Sequence, residues 1–406
     1  MEYFSTKLDN GIRYIHVPTE RHVAHLAVIV NAGTRDENED EHGIAHFIEH
    51  VIFKGTKKRK AYHILSRLED VGGEIDAYTS KEDTVVYTSF LKQYFDRAAD
   101  LLSDILINST FPEKELEKEK EVIYDEINSY FDTPSEQIYD DFENKIFANH
   151  PLGYNILGDK RSLKDFGKKN IQAFMDRTYN TDKIVICSIG NLPFSKTENM
   201  IQKYFGLMKE NKREWSRSPF QNYQAFNLIE EADNHQAHCI VGNTAYDSFH
   251  EKRKALLLLN NIIGGPGLNS RLNLVLREKH GLVYNIESNY NQYSDIGLWS
   301  VYFGTDKNNF KRVLKLLHSE MQKMVNQKLG PKQLNKAKQQ IIGQMAMASE
   351  NNQDMLVGIA KSYMLYNKLD NFEEIKSVVN AISAEQLQEV AQEIFDPKQL
   401  STFAFL

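Results

Sequence analysis

Two histidines and a glutamate fall within five residues of one another in the segment HGIAHFIEHVIFKGT, residues 42–56. On a helix, which turns about 100° per residue, His46, Glu49 and His50 share one side and the apolar residues take the other. Histidines at i and i+4 can bind one Zn²⁺ together, and a glutamate beside them can reach a water at the metal. This is the HxxEH form of the zinc-peptidase motif. A solvent-exposed polar helix face is the alternative interpretation.

A third ligand is needed, because catalytic zinc usually has three protein ligands. The segment ELEKEKEVIYDEINSYF, residues 115–131, is typical of an amphipathic helix. Glu119 and Glu126 are seven residues apart, nearly two turns, and lie on the apolar stripe of this helix. A carboxylate at a buried position needs a cation or strong hydrogen-bond donors. Glu119 and Glu126 are therefore the candidates for the third ligand.

The elements that must position these residues occur twice. The sequence repeats with a period of about 210 residues, which indicates a duplicated domain. PEKELEKEKEVIYDEI, from Pro112, aligns with PKQLNKAKQQIIGQM, from Pro331, and in both halves two strand-like runs and a helical stretch come earlier. The predicted fold class is α+β, with two homologous domains that are each a mixed or antiparallel sheet covered by helices. We predict domain one at residues 1–210, a linker at 211–224 and domain two at 225–406.

The two copies differ at the candidate ligands. HFIEHVIFKG in the first copy faces LLLLNNIIGG in the second, so leucine or asparagine occupies each position of the motif. Glu119 and Glu126 face Ala337 and Gln344. Every candidate ligand of the first copy is replaced by a non-ligand or a poor one, and the predicted metal site therefore belongs to domain one.

These features resemble the HxxEH metallopeptidases of the pitrilysin, insulin-degrading and mitochondrial-processing-peptidase group, peptidase family M16. In that family a ligand glutamate follows the motif by roughly 75 residues, and here Glu126 lies 76 positions after His50. The likeness covers the whole chain, including FKGT and GGEIDAYTSKEDT. It implies the LuxS/MPP-like metallohydrolase fold and a zinc metalloendopeptidase. His46, His50 and Glu126 would bind Zn²⁺ as the cofactor, and Glu49 would be the general base.

The resemblance also implies roles for three further residues. Glu119, seven residues before the ligand glutamate, is expected to orient a ligand histidine. Arg277 and Tyr284 match an arginine and a tyrosine of the family that are seven residues apart. They are expected to bind the substrate backbone and to help stabilise the transition state. The alternatives are a helix-end surface charge for Arg277 and an ordinary strand aromatic for Tyr284.

Substrate binding is expected on a strand in domain one. The run EIDAYTSKEDTVVY after Gly73 resembles the family's edge strand, onto which an extended substrate adds as an extra strand. Main-chain pairing gives affinity with little sequence selectivity, so unfolded peptides or small proteins are the expected substrates. The predicted substrate-binding residues on this strand are Asp76, Ala77, Tyr78 and Thr79. Asp76 takes the place of an asparagine found in many relatives.

The number of domains favours a homodimer. Larger relatives carry four such domains in one chain as a closed clamshell, with the zinc of one domain facing the Arg/Tyr pair of another. This chain carries both features in two domains, so a two-fold homodimer would form two complete sites. A heterodimer with a paralogous M16 subunit is the alternative. Two other functions stay open, namely a processing peptidase for a defined presequence and a catalytically inactive M16-like assembly subunit.

Composition limits the remaining partners. The formal net charge of −7 gives no reason to expect nucleic acid, and the basic run KGTKKRK at 54–60 is interpreted as a solvated surface turn. No segment approaches the ~18 uncharged residues that span a bilayer, and the start lacks a secretion-signal pattern. Cys187 and Cys239 lie in apolar runs, which favours buried thiols in a reducing compartment. We therefore expect a cytoplasmic protein without membrane insertion. Zinc itself is inferred from the ligand chemistry, so Mn²⁺ or Co²⁺ could replace it.

Overall fold

Runs of strands and runs of helices follow one another along the chain in a computed structural model that describes residues 2–406. The strands are β1 (Phe4–Lys7), β2 (Arg13–Pro18), β3 (Val23–Val30), β4 (Glu74–Thr79), β5 (Thr84–Leu91), β6 (Ile184–Gly190), β7 (Asn227–Glu230), β8 (Ala237–Ala245), β9 (Val283–Gln292), β10 (Gly297–Thr305) and β11 (Ser401–Phe405).

The helices are α1 (Ile44–Val51), α2 (Ala61–Glu69), α3 (Phe95–Asn108), α4 (Glu113–Phe131), α5 (Pro134–Ile146), α6 (Lys160–Asp165), α7 (Lys168–Thr178), α8 (Phe194–Phe205), α9 (Arg253–Gly264), α10 (Phe310–Asn326), α11 (Pro331–Ala348), α12 (Asn352–Tyr366), α13 (Phe372–Ala381) and α14 (Ala384–Ile394). A π-helical segment, Asn273–Lys279, precedes β9.

The chain folds into two compact units. The first consists of the described residues up to Asn128, Tyr154–Arg217 and Met347–Asn371. The second consists of Ser129–Gly153, Ser218–Ala346 and Phe372–Leu406. Each unit therefore contains a segment from the other half of the chain, which differs from the two continuous ranges predicted from the repeat.

The first unit is built on a six-stranded mixed sheet in the order β1-β2-β6-β3-β5-β4. β2 and β6 are parallel, and β3, β5 and β4 form an antiparallel ladder in which Thr79 lies opposite Thr84. Successive strand residues point to opposite faces. On one face, Leu26 and Val28 belong to a core covered by the helices of the first half, including α1, α3 and α4. On the other, Ala27 and Ile29 pack with Leu356 and other residues of α12.

The second unit repeats this plan with a five-stranded mixed sheet in the order β7-β11-β8-β10-β9. One face packs against helices that include α9, α10 and α14. The other face is covered by α5, whose Ile138 and Phe142 are buried against strand residues that include Phe403. Apolar residues on both faces of each sheet make burial between two helical layers the favourable arrangement. The α+β class with two sheets of mixed type is confirmed.

Both cysteines are buried and free, as predicted. Cys187 lies in β6 of the first unit and Cys239 in β8 of the second, and burial raises the pKa of each thiol. Across residues 2–406, none of the helices combines the length and the apolar character required to cross a membrane.

Candidate metal centre

The helix that carries the histidine motif is α1. Its apolar residues Ile44, Phe47, Ile48 and Val51 are fully buried in the core of the first unit. This packing fixes the rotation of the helix, so the opposite side presents the motif. His46 is itself buried, whereas Glu49 and His50 are partly exposed. The predicted division of this segment into an apolar and a polar side is therefore present in the structure.

The start of α1 is held by a residue that the motif does not include. Gly43 precedes the helix with a φ of 89° and has no side chain to cap it, and a Cβ there would lie 2.7 Å from the Cα of Gly158. The buried carboxylate of Glu37 accepts hydrogen bonds from the backbone N–H groups of Gly43 and Ala45, both at 3.0 Å. Burial raises the pKa of Glu37 well above its ordinary value, although these hydrogen bonds oppose the shift. Glu37 thus satisfies N–H groups that a helix otherwise leaves unpaired.

The second helix of the site is α4. Leu116, Ile123 and Ile127 are its buried apolar residues. Glu119 and Glu126 lie about two turns apart on the side of α4 that faces α1, and their side chains are 12% and 43% exposed. The predicted pair of carboxylates therefore meets the predicted pair of histidines.

Three potential ligand atoms converge between the two helices. Oε2 of Glu126 lies 3.8 Å from Nε2 of His46 and 3.5 Å from Nε2 of His50. The two imidazole rings are 4.6 Å apart between centroids. His46, His50 and Glu126 can place one ligand atom each within 4.8 Å of one another. These are the three residues that the family resemblance implied as ligands.

This set of donors fits a divalent metal such as zinc. Two imidazoles and one carboxylate are a typical catalytic zinc set that leaves a fourth position for water or substrate. Burial lowers the pKa of His46 to about 3, with a further contribution from His50, so its imidazole is neutral, the form that binds metal. The buried Nδ1 of His46 has no hydrogen-bond partner among the described residues. Oε2 of Glu126 lies no closer than 3.5 Å to Nε2 of either histidine, so these three atoms lie close together without a short hydrogen bond between them.

Glu49 lies beside these ligands in an environment that suits proton transfer. Burial raises the pKa of Glu49 to about 7; hydrogen bonding from Thr79 opposes this rise and the neighbouring charge of Glu126 adds to it. A carboxylate with a pKa near 7 is well matched to accepting and returning a proton at neutral pH.

Glu119 contacts one of the histidines rather than completing the ligand set. Its Oε2 lies 3.4 Å from Nδ1 of His50, the ring nitrogen on the far side from Glu126. Its Oε1 lies 2.7 Å from Nζ of Lys54. The role predicted for Glu119, orienting a ligand histidine, would act through this contact.

The predicted substrate strand is β4, which lies at the edge of the first sheet and pairs with β5. Its residues divide between the two faces. Ala77 packs towards the core that contains α1, and the hydroxyl of Thr79 donates to the carbonyl oxygen of Ala45 at 3.4 Å. Tyr78 faces the other side, where Lys361 of α12 lies 5.3 Å from the centre of its ring. Asp76 accepts a hydrogen bond from the hydroxyl of Tyr87 at 2.9 Å. Only alternate side chains of this strand therefore lie on the side of the metal centre.

Arg277 and Tyr284 lie in the second unit. Arg277 is exposed on the π-helical segment before β9. Tyr284 is 56% exposed near the start of β9, and its hydroxyl donates to Oδ1 of Asp306 at 2.9 Å. Both side chains are thus accessible on their own unit.

Sequence reasoning missed two residues near the centre, Glu37 and Lys54. Glu37 occurs in the acidic run DENEDEH, where it looks like ordinary surface charge. Lys54 begins the basic run that was interpreted as a surface turn. Lys54 lies one helical turn after His50, a spacing that could have indicated its proximity to the site.

Two family descriptions match most of the chain. Residues 14–160 match the insulinase family, peptidase family M16, and residues 165–341 match the peptidase M16 inactive domain. The first range contains α1 and α4, and the second contains α9, in which leucine and asparagine take the positions of the motif residues.

Curated relatives match along nearly the whole length. The chain is 32% identical over 389 residues to a Bacillus subtilis protein named uncharacterized zinc protease YmxG, covering 95% of this chain and 94% of that protein. It is 33% identical over 394 residues to an uncharacterized zinc protease of Rickettsia felis, covering 96% and 94%.

Solved structures share the fold at lower sequence identity. A protease from Helicobacter pylori superposes with a TM-score of 0.92 at 23% identity, covering 100% of this chain and 99% of that one. A structure from Pseudomonas fluorescens described as a peptidase M16 inactive domain superposes with a TM-score of 0.93 at 18% identity, covering 100% and 98%.

Proposed function

The chain belongs to peptidase family M16, and from this premise we propose that it is a zinc-dependent metalloendopeptidase that hydrolyses unfolded peptides or small proteins. The observation that carries the proposal is the convergence of His46, His50 and Glu126 with Glu49 beside them. Two imidazoles, one ligand carboxylate and one carboxylate free to move a proton are together suited to metal-assisted hydrolysis.

Each residue of the centre has a distinct task in this proposal. His46, His50 and Glu126 would hold the metal, and bound zinc would supply Lewis acidity and make water more acidic. A carboxylate oxygen of Glu49 accepts the proton of the attacking water and then delivers it to the leaving amine. Glu119 keeps the His50 ring in place through Nδ1.

The edge strand supports an extended substrate. β4 lies at the edge of its sheet, beside α1, where a peptide can pair with it through main-chain hydrogen bonds. Such pairing needs an unfolded segment of the substrate and depends little on its side chains. Arg277 and Tyr284 are exposed, and we propose that they bind the substrate backbone.

Hydrolysis of a quenched fluorescent unstructured peptide tests the proposal. We expect zinc-loaded wild type to cleave it and Glu49→Gln, which keeps the shape but cannot accept the proton, to lose about 10³-fold in rate. Equal rates in both proteins would contradict the role of Glu49. No activity in either would favour an inactive assembly subunit, and one defined cut in natural precursors would favour a processing peptidase.

For assembly we propose a cytoplasmic homodimer in which each active site combines domain one of one subunit with domain two of the other. Mixing two inactive variants, Glu49→Gln and Tyr284→Phe, should then restore part of the activity, because a mixed dimer holds one intact site. A monomer by sedimentation at micromolar concentration, or no recovery after subunit exchange, would overturn this proposal.

A further inference from the structure

A lysine is linked to the candidate metal centre through Glu119. Nζ of Lys54 lies 2.7 Å from Oε1 of Glu119, and Oε2 of the same carboxylate lies 3.4 Å from Nδ1 of His50. The contacts thus run in a line from Lys54 through Glu119 to His50, whose other ring nitrogen faces Glu126.

This contact is more enclosed than an ordinary surface ion pair. The side chain of Glu119 is 12% exposed and that of Lys54 is 27% exposed. A carboxylate with so little access to water needs a partner to compensate for its lost solvation. Lys54 supplies that partner and holds the carboxylate in one orientation, so the second oxygen of Glu119 stays directed at the imidazole.

The repeat within the chain gives an independent indication. Where the first copy has Lys54, the aligned second copy has Gly264, and where it has Glu119, the second copy has Ala337. A Cβ on Gly264 would lie 2.7 Å from the Cβ of Ser288, so a lysine could not occupy this position without a shift of the backbone. The lysine and the glutamate are therefore both missing from the copy that lacks the ligands.

Two roles of Lys54, as a nearby charge and as a residue that positions Glu119, predict opposite changes in zinc affinity when it is removed. Glu49, Glu119 and Glu126 carry three negative charges when ionised, and Lys54 offsets one of them. Removing Lys54 would make the centre more negative, and by electrostatics alone would strengthen the binding of a divalent cation. If Lys54 acts by fixing Glu119, its removal weakens binding instead.

We infer that Lys54 is a positioning residue for the metal centre, acting on His50 through Glu119. The inference rests on the proposed zinc site. Lys54 would touch neither metal nor substrate, and it would limit the ligand ring to an orientation suited to metal binding.

A double-mutant cycle on zinc affinity tests this inference. Metal-free wild type, Lys54→Met, Glu119→Ala and the double variant are titrated with zinc in competition with a chromophoric chelator. We expect Glu119→Ala to bind zinc about 10–100-fold more weakly, and Lys54→Met about 10-fold more weakly. The double variant should bind no more weakly than Glu119→Ala, because Lys54 has nothing left to position.

Matched variants separate positioning from folding and from charge. Lys58→Met removes one positive charge from an exposed side chain four residues further on and should leave zinc affinity unchanged. Lys54→Arg keeps a cation within reach of Glu119 and should lose less affinity than Lys54→Met, and far-UV circular dichroism checks that each variant is folded. Unchanged or tighter zinc binding by Lys54→Met, or additive losses of zinc affinity in the double variant, would overturn this inference and leave the proposed function standing. If wild type bound no zinc, the proposed function would fail with it.

Discussion

The same pair of helices occurs in both units, and among the described residues only the pair in the first unit brings together a set of potential metal ligands. In the first unit, α1 and α4 bring two imidazoles and three carboxylates together. In the second, α9 places Leu256 and Leu259 at the positions of His46 and Glu49, and both leucines are fully buried in the core. The same backbone positions can therefore serve either packing or ligand binding.

The position of His50 shows the contrast most clearly. Its counterpart Asn260 is satisfied within the second unit, where its amide donates to the carbonyl oxygen of Ser288 at 3.1 Å and its Oδ1 accepts from the indole N–H of Trp299 at 3.0 Å. In the first unit, by contrast, both ring nitrogens of His50 face glutamates, Nδ1 at 3.4 Å from Glu119 and Nε2 at 3.5 Å from Glu126. Nδ1 of the neighbouring His46 is buried without a partner among the described residues. An unsatisfied buried polar group costs stability. The first copy carries this cost in the helix that presents the candidate ligands, whereas the second copy has an apolar residue at the same position.

The largest loss in the free energy of unfolding is expected from placing a charged residue in the second copy. Leu259→Glu puts a carboxylate at the position that matches Glu49, but inside an apolar core without ligand histidines. We expect it to reduce the free energy of unfolding by about 3–5 kcal/mol, as for other uncompensated buried charges. Urea unfolding measures this, and Leu259→Met, which conserves volume, is the control and should cost less than about 1.5 kcal/mol. Similar losses in both variants would show that the two copies are not distinguished by polarity.

A smaller loss in the free energy of unfolding is expected from replacing Glu37, which caps the start of α1. Glu37→Ala leaves the N–H groups of Gly43 and Ala45 without their buried acceptor. We expect a loss of about 1–3 kcal/mol in the free energy of unfolding, together with weaker zinc binding, because α1 carries both histidines. Glu39→Ala, at an exposed position two residues on, should change neither quantity. If the two variants behaved alike, the capping role of Glu37 would be refuted.

The smallest expected effect is a gain, rather than a loss, in the free energy of unfolding. His46→Leu introduces the residue found in the second copy and removes the unpaired Nδ1. We expect the metal-free protein to gain about 1 kcal/mol, since the cost of an unsatisfied buried polar group is of that order. Zinc should raise the Tm of wild type and leave that of the variant unchanged. If the variant were less stable than wild type, the unpaired Nδ1 would carry no such cost. If its Tm still rose with zinc, the assignment of His46 as a ligand would be wrong.

Patterns local to one or two elements were sufficient to predict much of the site. The spacing of His46, Glu49 and His50 predicted their common helix face, and the seven-residue spacing of Glu119 and Glu126 predicted that both face the same partner. The mixed sheets and the edge position of β4 also agree with the sequence-based expectation.

Contacts between residues distant in sequence could not be predicted in the same way. Helix α5 covers the sheet of the second unit and α12 covers that of the first. Their apolar residues indicate that each helix packs against the rest of the protein, but hydrophobic periodicity does not specify which sheet it covers. Glu37 and Lys54 were missed for a related reason. Glu37, within its acidic run, has no local feature that distinguishes a buried partner from a solvated side chain, and the only local indication for Lys54 was its spacing of four residues from His50.

The most direct test of the central claim is a zinc titration of the metal-free full chain, comparing wild type with Glu126→Gln. Glutamine is the residue at the aligned position of the second copy, Gln344, so the variant converts one ligand to its counterpart. We predict one tightly bound zinc per chain in wild type and a loss of more than about 100-fold in affinity in the variant, beyond the range for residues that only orient a ligand. Equal zinc binding by both proteins would contradict the assignment of this centre.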